Sequence, residues 1–464
     1  MAAGPGLLWR AREYVDRSAR QSPARLALGV FALVIAIITA LLSAPWATAH
    51  GQRAPFVDAL FTATSATTVT GLVVVPTGEY WSWWGLLVIL GAIKIGGLGV
   101  MTLASLLGMA VSRRIGLTQR LLVSSETKVT RLGEVGSLVR TVIVTSTALE
   151  VVIAIVLFPR LLVHGEPVGT AAWHAVFYAV SAFNNAGFVP TAEGLDPFVS
   201  DWWMLLPIIV GVFIGSLGFP VILDVAHHLR APRQHGRSPR RWKLHSKLTI
   251  ATSIALVVFG SVVVAAFEWT NPGTFRPLDP GGTALASLFA GVMPRSGGFT
   301  TVDVDQMHEG TWLLLDALMF VGGGSASTAG GIKVTTLAVM LLAIVAEGRG
   351  DPDVEAFGRR IPRETLQVAI AVAFVSASIV LVASLLLLAM TGLTLDRILF
   401  EVISAFATCG LSTGITADLP APAKYVLVVL MFIGRTGTMT LAAALALRSR
   451  RRVIRYPEER PIIG

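Results

Sequence analysis

With a single cysteine, Cys409, in 464 residues, the chain can close no intramolecular disulfide. Charge is scarce too: Asp, Glu, Lys and Arg make up 14% of the residues, against roughly 25% in soluble domains. The eight histidines show neither H-E-x-x-H nor a comparable metal-ligand spacing. No hydrolase signature and no G-x-x-x-x-G-K-[ST] phosphate loop occurs. Any ATP dependence must therefore come from a partner. The sequence singles out no catalytic residue and no tightly bound cofactor, and a non-enzyme is expected.

Apolar length is abundant. Hydrophobic residues make up 54% of the chain and the mean hydropathy is +0.71. Eight runs stand out: Leu26–Pro45, Trp83–Val111, Ser137–Leu162, Trp202–Leu229, Leu248–Trp269, Trp312–Ala346, Thr365–Met390 and Ala423–Leu447. About 20 apolar residues cross a ~30 Å hydrocarbon layer as a helix. Backbone in lipid must satisfy its own hydrogen bonds, so the expectation is an all-α membrane protein with eight transmembrane helices. Leu26 to Leu42 followed by Ala47-Thr48-Ala49 has the look of a secretory leader. The apolar run is longer than the 7–15 residues of such a core, so it is read as the first span, retained.

Between the two runs of each successive pair lies a short segment ending in glycine and Leu or Phe. The glycines are Gly71, Gly187, Gly298 and Gly410, spaced 116, 111 and 112 residues apart. Ten residues before them stand Phe61, Phe177, Leu288 and Phe400; six before stand Ser65, Ser181 and Ser404, with Val292 the exception. Leu72, Phe188, Phe299 and Leu411 follow. A fixed period marks a repeated structural unit. The organisation read from it is a cytoplasmic segment 1–25 and four helix–pore loop–helix repeats around a fourfold pseudosymmetric pore. The repeats are 26–111 (pore loop 56–72), 112–229 (171–188), 230–346 (283–299) and 347–447 (395–411), followed by a cytoplasmic tail 448–464.

If each glycine segment returns to the face it entered from, 27 of the 37 basic residues fall on one side. The other side keeps Arg53, Arg160, Arg276, Arg397 and Lys424. This asymmetry places both termini and the inter-repeat loops in the cytoplasm of a multi-pass cell-membrane protein. The basic block 230–247 then meets anionic membrane lipid or a cytosolic partner rather than nucleic acid.

Non-helical backbone at membrane depth is tolerated where it lines a water-filled path. The segments end in Thr67-Thr68-Val69-Thr70-Gly71, Asn184-Asn185-Ala186-Gly187, Arg295-Ser296-Gly297-Gly298 and Thr408-Cys409-Gly410. Small residues let successive carbonyls face one axis, and rings of carbonyls replace the hydration shell of an alkali cation. A half helix aiming its C-terminus at that axis adds negative dipole. Packing of small residues between helices is the plainer reading of any one such segment; four at near-constant spacing point to a pore.

These motifs carry a resemblance. The chain resembles the Trk/Ktr/HKT superfamily of potassium transporters, most closely its eight-span Ktr-type membrane subunit. Besides the four glycine segments, the matching residues are Ile95-Gly96-Gly97-Leu98-Gly99, Gly322–Lys333, Gly434-Arg435-Thr436-Gly437 and Tyr456-Pro457-Glu458-Glu459-Arg460. The resemblance runs from about residue 26 to the C-terminus. It implies K+ uptake through a selectivity filter of backbone carbonyls, with Na+ as a stimulating ion. It also implies a homodimer gated by a cytosolic RCK/KTN-type nucleotide-binding ring, on which ATP or ADP would sit. In that superfamily serine in place of the first-repeat glycine goes with Na+ preference, and Gly71 therefore favours K+.

Gly322-Gly323-Gly324-Ser325-Ala326-Ser327-Thr328-Ala329-Gly330-Gly331 falls within the second helix of repeat three. Five glycines in ten residues, each costing about 1 kcal/mol relative to alanine, break a helix. The resemblance makes this stretch the intramembrane gating loop. Arg435, midway in the last span, must face a cavity or a partner: it either opposes cations, hydrogen-bonds the 322–331 carbonyls, or forms a structural ion pair. The resemblance favours the gate. Lys333 either anchors the loop's lower end or snorkels to the cytoplasm. Arg295 is expected to be tethered to a carboxylate, and Lys94 has no evident partner. Asp58 and Glu401, 13 and 9 residues before their glycines, are read as helix-start acids suited to the dipole or as cation attractors. The runner-up function is an H+- or Na+-coupled secondary transporter built on a midplane site.

Overall fold

The computed structural model describes residues 23–99, 135–230 and 242–447. The segment before Pro23, the 100–134 connection, the 231–241 block and the tail from Arg448 lie outside the described residues, and with them most of the charges behind the orientation.

Three helices recur per expected repeat. In the first they are α1 (Pro23–Leu42), α2 (Phe56–Thr68) and, after the single turn α3 (Thr77–Tyr80), α4 (Trp83–Gly97). The second has α5 (Val135–Val163), α6 (Val168–Phe183), α7 (Trp202–Leu217) and α8 (Phe219–Arg230). The third has α9 (Leu244–Glu268), α10 (Pro280–Val292), α11 (Glu309–Phe320) and α12 (Val334–Arg349). The fourth has α13 (Arg363–Met390), α14 (Leu395–Ala407) and α15 (Ala421–Leu447).

The middle helices α2, α6, α10 and α14 have 13, 16, 13 and 13 residues. At 1.5 Å per residue they reach only some 20–24 Å, short of a bilayer core. Their C-terminal halves are largely buried, whereas the long helices show apolar side chains outward, such as Ile155, Phe259 and Phe374. The middle helices α2, α6 and α14 pack against both long neighbours of their own repeats, and α10 against α9. Each middle helix also packs against one helix of the preceding repeat: α4 on α6, α7 on α10, α11 on α14, and α15 back on α2. The four units thus close into a ring.

By length and composition three described helices could each cross a membrane, over Arg140–Val163, Leu244–Glu268 and Arg363–Met390, and a fourth if a bent pair counts as one. The sequence anticipated eight. Part of the difference is real structure. The Trp202–Leu229 run is two helices meeting at 101°, with the break at Gly218, whose φ is +90°. The Trp312–Ala346 run is interrupted from Val321 to Lys333. The Trp83–Val111 run is described only as far as Gly99.

One element departs from the all-α expectation. β1 (Glu355–Ala356) and β2 (Arg359–Arg360) form an antiparallel hairpin. Its two central residues, Phe357 and Gly358, both have positive φ, as a tight two-residue turn requires. An ion pair from Arg360 to Asp353 at 2.8 Å braces it.

Polar caps hold the other ends. Ser82 Oγ accepts from Gly85 N, Asp279 accepts from Gly281 N and Gly282 N, and Asp201 from Trp203 N and Met204 N. Burial works to raise the Asp201 carboxyl pKa, but hydrogen bonds from Arg160, His164 and the Met204 amide outweigh it and hold the group below its ordinary value. Exposed tryptophans Trp83, Trp84, Trp202 and Trp203 open α4 and α7, the placement expected of an interfacial aromatic belt.

Candidate functional site: four glycine segments and the loop beneath them

The four middle helices end in one backbone pattern. Two residues before each glycine the chain turns left-handed, at Val69 (φ +57°), Asn185 (+60°), Ser296 (+74°) and Thr408 (+47°). The glycines are left-handed as well: Gly71 at +93°, Gly187 at +69°, Gly298 at +71° and Gly410 at +97°. Such angles cost a Cβ-bearing residue energy and persist where the surroundings enforce them. Thr67, Thr68, Thr70, Asn184, Ala186, Gly297 and Cys409 fill the remaining positions of these segments.

The glycines also meet one another in cyclic order. A methyl on Gly71 would collide with the Ala186 carbonyl oxygen; on Gly187 it would lie 2.9 Å from Gly298. On Gly298 it would lie 2.5 Å from the Cys409 oxygen, and on Gly410 it would strike the Thr70 oxygen. The segments therefore converge on a common centre where backbone meets backbone.

The serine six residues upstream has a clear task. Ser65 Oγ accepts from Gly71 N and Ser404 Oγ from Gly410 N, each at 3.1 Å, while Ser181 Oγ donates to Phe188 O at 2.8 Å. Val292 can do neither; there Gly297 N and Gly298 N reach the Met293 oxygen instead. Thr68 and Thr70 hydroxyls pair at 2.6 Å, and Ser296 Oγ donates to Thr408 O at 2.6 Å, tying segment three to segment four. The side-chain oxygens or nitrogens of Thr64, Thr67, Asn185 and Thr408 are buried without a protein partner.

Close packing requires further glycines. A Cβ on Gly96, Gly215 or Gly434 would run into the carbonyl of Thr67, Phe183 or Phe406, the end of the middle helix in the same repeat. In these three repeats the second helix thus lies directly on the end of its middle helix.

Beneath the segments runs the 321–333 loop. Val321 and Ile332 bridge in parallel, with Gly322 N donating to Ile332 O at 2.9 Å and Val334 N to Gly323 O at 3.1 Å. Gly324 N donates to Ser216 O at 2.7 Å and Phe219 N to Ala326 O at 3.2 Å, which pins the loop to the bend at Gly218. Gly330 N donates to Ser296 Oγ at 3.4 Å. A methyl on Gly330 would collide with the Thr408 hydroxyl, so loop and glycine segments are in direct contact.

Two cations hold the loop. The Arg435 guanidinium, buried at 3% exposure, donates to Thr328 O and, at 2.8 Å, to Gly96 O. It joins the loop to repeats one and four, and the carbonyl-bonding alternative is the geometry found. Lys333 Nζ donates to Ala329 O at 2.7 Å and sits within 3.5 Å of Gly330 O, as an anchor would. Ser325 faces Thr335 across 3.4 Å, and Ser327 Oγ accepts from Ala329 N. Gly331, with φ +63°, packs on Ala407.

Three expectations need correction or completion. Arg295 is not tethered to a carboxylate: it donates to the Ser253 carbonyl at 2.9 Å and the Ser253 hydroxyl at 3.0 Å, because α9 rather than an acid packs beside it. Glu401 does not start a helix. It is the seventh residue of α14, fully buried, and accepts from Ser412 Oγ, Thr413 N and Thr416 Oγ1, so it fastens the strand that leaves segment four. Asp58 does lie in the first turn of α2, 3.6 Å from Lys424. Lys94 has a partner the sequence did not reveal: Glu150, at 2.6 Å. Two lone opposite charges in neighbouring apolar runs were the available signal.

Known proteins agree with this architecture. The cation transport protein family TrkH matches residues 5–452. The Ktr system potassium uptake protein B of Bacillus subtilis is 38% identical over 443 residues, covering 95% of this chain and 96% of that protein. The protein of the same name from Vibrio alginolyticus is 37% identical over 410 residues, 88% of each chain. The potassium/sodium uptake protein NtpJ of Enterococcus hirae is 32% identical, over 96% of this chain and 98% of that one. The crystal structure of the potassium transporter TrkH from Vibrio parahaemolyticus superposes with a TM-score of 0.68 at 18% identity, over 90% of this chain and 84% of that one. On its sequence this membrane protein belongs to the TrkH family of cation transport proteins.

Proposed function

We propose that this protein is the membrane subunit of a potassium uptake system, conducting K+ inward through the centre enclosed by Gly71, Gly187, Gly298 and Gly410. The cyclic meeting of four left-handed glycine segments carries the reading. Carbonyls brought so close to one axis supply the oxygens that replace water around an alkali cation. Four helix C-termini aimed at the same centre add negative potential. Eight spans in four repeats, both termini in the cytoplasm, is the membrane arrangement that fits this ring and the charge distribution.

In this reading the 322–331 loop with Arg435 and Lys333 is the gate. It lies against the filter, is tied to it through Ser296, and carries a fixed positive charge that opposes cations. A homodimer controlled by a cytosolic nucleotide-binding ring is the assembly we assign, with nucleotide on the ring and not on this chain. The protein moves an ion and transforms no substrate. The relatives named as potassium uptake proteins support K+, and the potassium/sodium uptake protein makes Na+ the ion to test beside it.

Purified protein in liposomes should take up K+ down its gradient with no proton or Na+ gradient imposed, a protonophore serving only to carry the compensating charge. Uptake that needs a proton or Na+ gradient would replace the pore by a coupled carrier.

A further inference from the structure

A charge pair lies inside the apolar body. Lys94 sits in the last turn of α4 and Glu150 in the middle of α5. Glu150 is 5% exposed. Lys94 Nζ lies 2.6 Å from both Glu150 oxygens and 3.2 Å from Ser146 Oγ. The carboxylate has a second donor: Asn184 Nδ2, at 2.8 Å to Oε1. Asn184 is the cap residue of α6, the helix that delivers segment two to the centre, and its amide also donates to Val180 O at 2.8 Å. Its carbonyl oxygen occupies the space a Cβ on Gly97 would need.

The pair is therefore not a remote clamp. One end grips α4, whose Gly96 carbonyl receives Arg435; the other fixes the residue three positions before Gly187. The carboxylate is one of two acceptors that orient the Asn184 amide, the other being Val180 O. A carboxylate there, away from water, keeps its charge only beside the ammonium.

We infer that Lys94 and Glu150 are positioning residues for ion selection: through Asn184 they hold segment two at the register that discriminates K+ from Na+. The inference rests on the filter reading above. Neutralising Lys94 leaves Glu150 buried without its cation, and neutralising Glu150 leaves the 28% exposed Lys94 ammonium without its anion; neutralising both removes the imbalance. A glutamine at 150 also retains an oxygen for the Asn184 amide.

The test measures initial K+ and Na+ uptake rates into liposomes for wild type, Lys94→Gln, Glu150→Gln, the double variant and Gly71→Ser. Each single variant should lower the K+/Na+ ratio by about tenfold or more, equivalent to ~1.4 kcal/mol at the filter. The double variant should recover most of that ratio, and Asn184→Asp, which sets two carboxylates together, should lose it again. Ratios that stay at the wild-type value in both single variants while Gly71→Ser loses selectivity would overturn this inference and leave the filter standing. A double variant no better than the singles would reduce the pair to packing. Selectivity unmoved by Gly71→Ser would instead sink the filter reading itself. Should the singles fold poorly, the double variant and Asn184→Asp still give the comparison.

Discussion

At the scale of residues, one hydroxyl decides whether the amide of a converging glycine is satisfied. Ser65 and Ser404 each accept the N–H of a glycine six positions on, and both serines are fully buried. Ser65→Ala should lower stability by about 1–3 kcal/mol, the usual penalty for stranding a buried donor. Thr64→Val, whose hydroxyl has no partner, should cost little. Thermal unfolding in detergent distinguishes the two, and equal melting temperatures would contradict the assigned role. The serine and glycine positions were legible because their spacing repeats. The left-handed residues were not: Val69, Asn185, Ser296 and Thr408 share a backbone angle but no side-chain type. Nor could spacing show that Arg295 bonds a serine on α9, since that contact is 42 residues away in sequence.

Among the elements, the 321–333 loop is held by hydrogen bonds of its own and by ties to repeats two and four. Its ties run to the bend at Gly218, to segment three through Ser296, and to Arg435. A hydrogen bond from a charged donor is worth about 1.5–3 kcal/mol, so losing those of Arg435 should release the loop. Arg435→Gln is expected to raise basal K+ flux by about tenfold or more in liposomes without any cytosolic partner. Gly330→Ala, which pushes the loop off Thr408, should move flux the same way. Flux unchanged in both would make the loop a fixed wall. The break itself was readable from five clustered glycines. The 101° bend between α7 and α8 was not, because Gly218 is one of three scattered glycines in an apolar run and does not stand out as the break. The 355–360 hairpin escaped notice for a similar reason: two-residue strands are too short to show alternation.

Across the whole molecule, the ring is closed by α15 packing on α2, a contact between the two ends of the chain. Periodicity foretold four units, but no local pattern says that the fourth meets the first; that follows from the second helix of each repeat packing on the middle helix of the next. Closure is what turns four separate turns into one centre, and Gly71 and Gly410 sit at the seam. The decisive measurement is the ratio of K+ to Na+ uptake by liposomes containing wild type or Gly71→Ser, at equal protein and with no proton gradient. A K+-preferring wild type whose preference falls about tenfold or more in the variant is the predicted result. Uptake that stops without a proton gradient, or a ratio indifferent to Gly71→Ser, would contradict the pore.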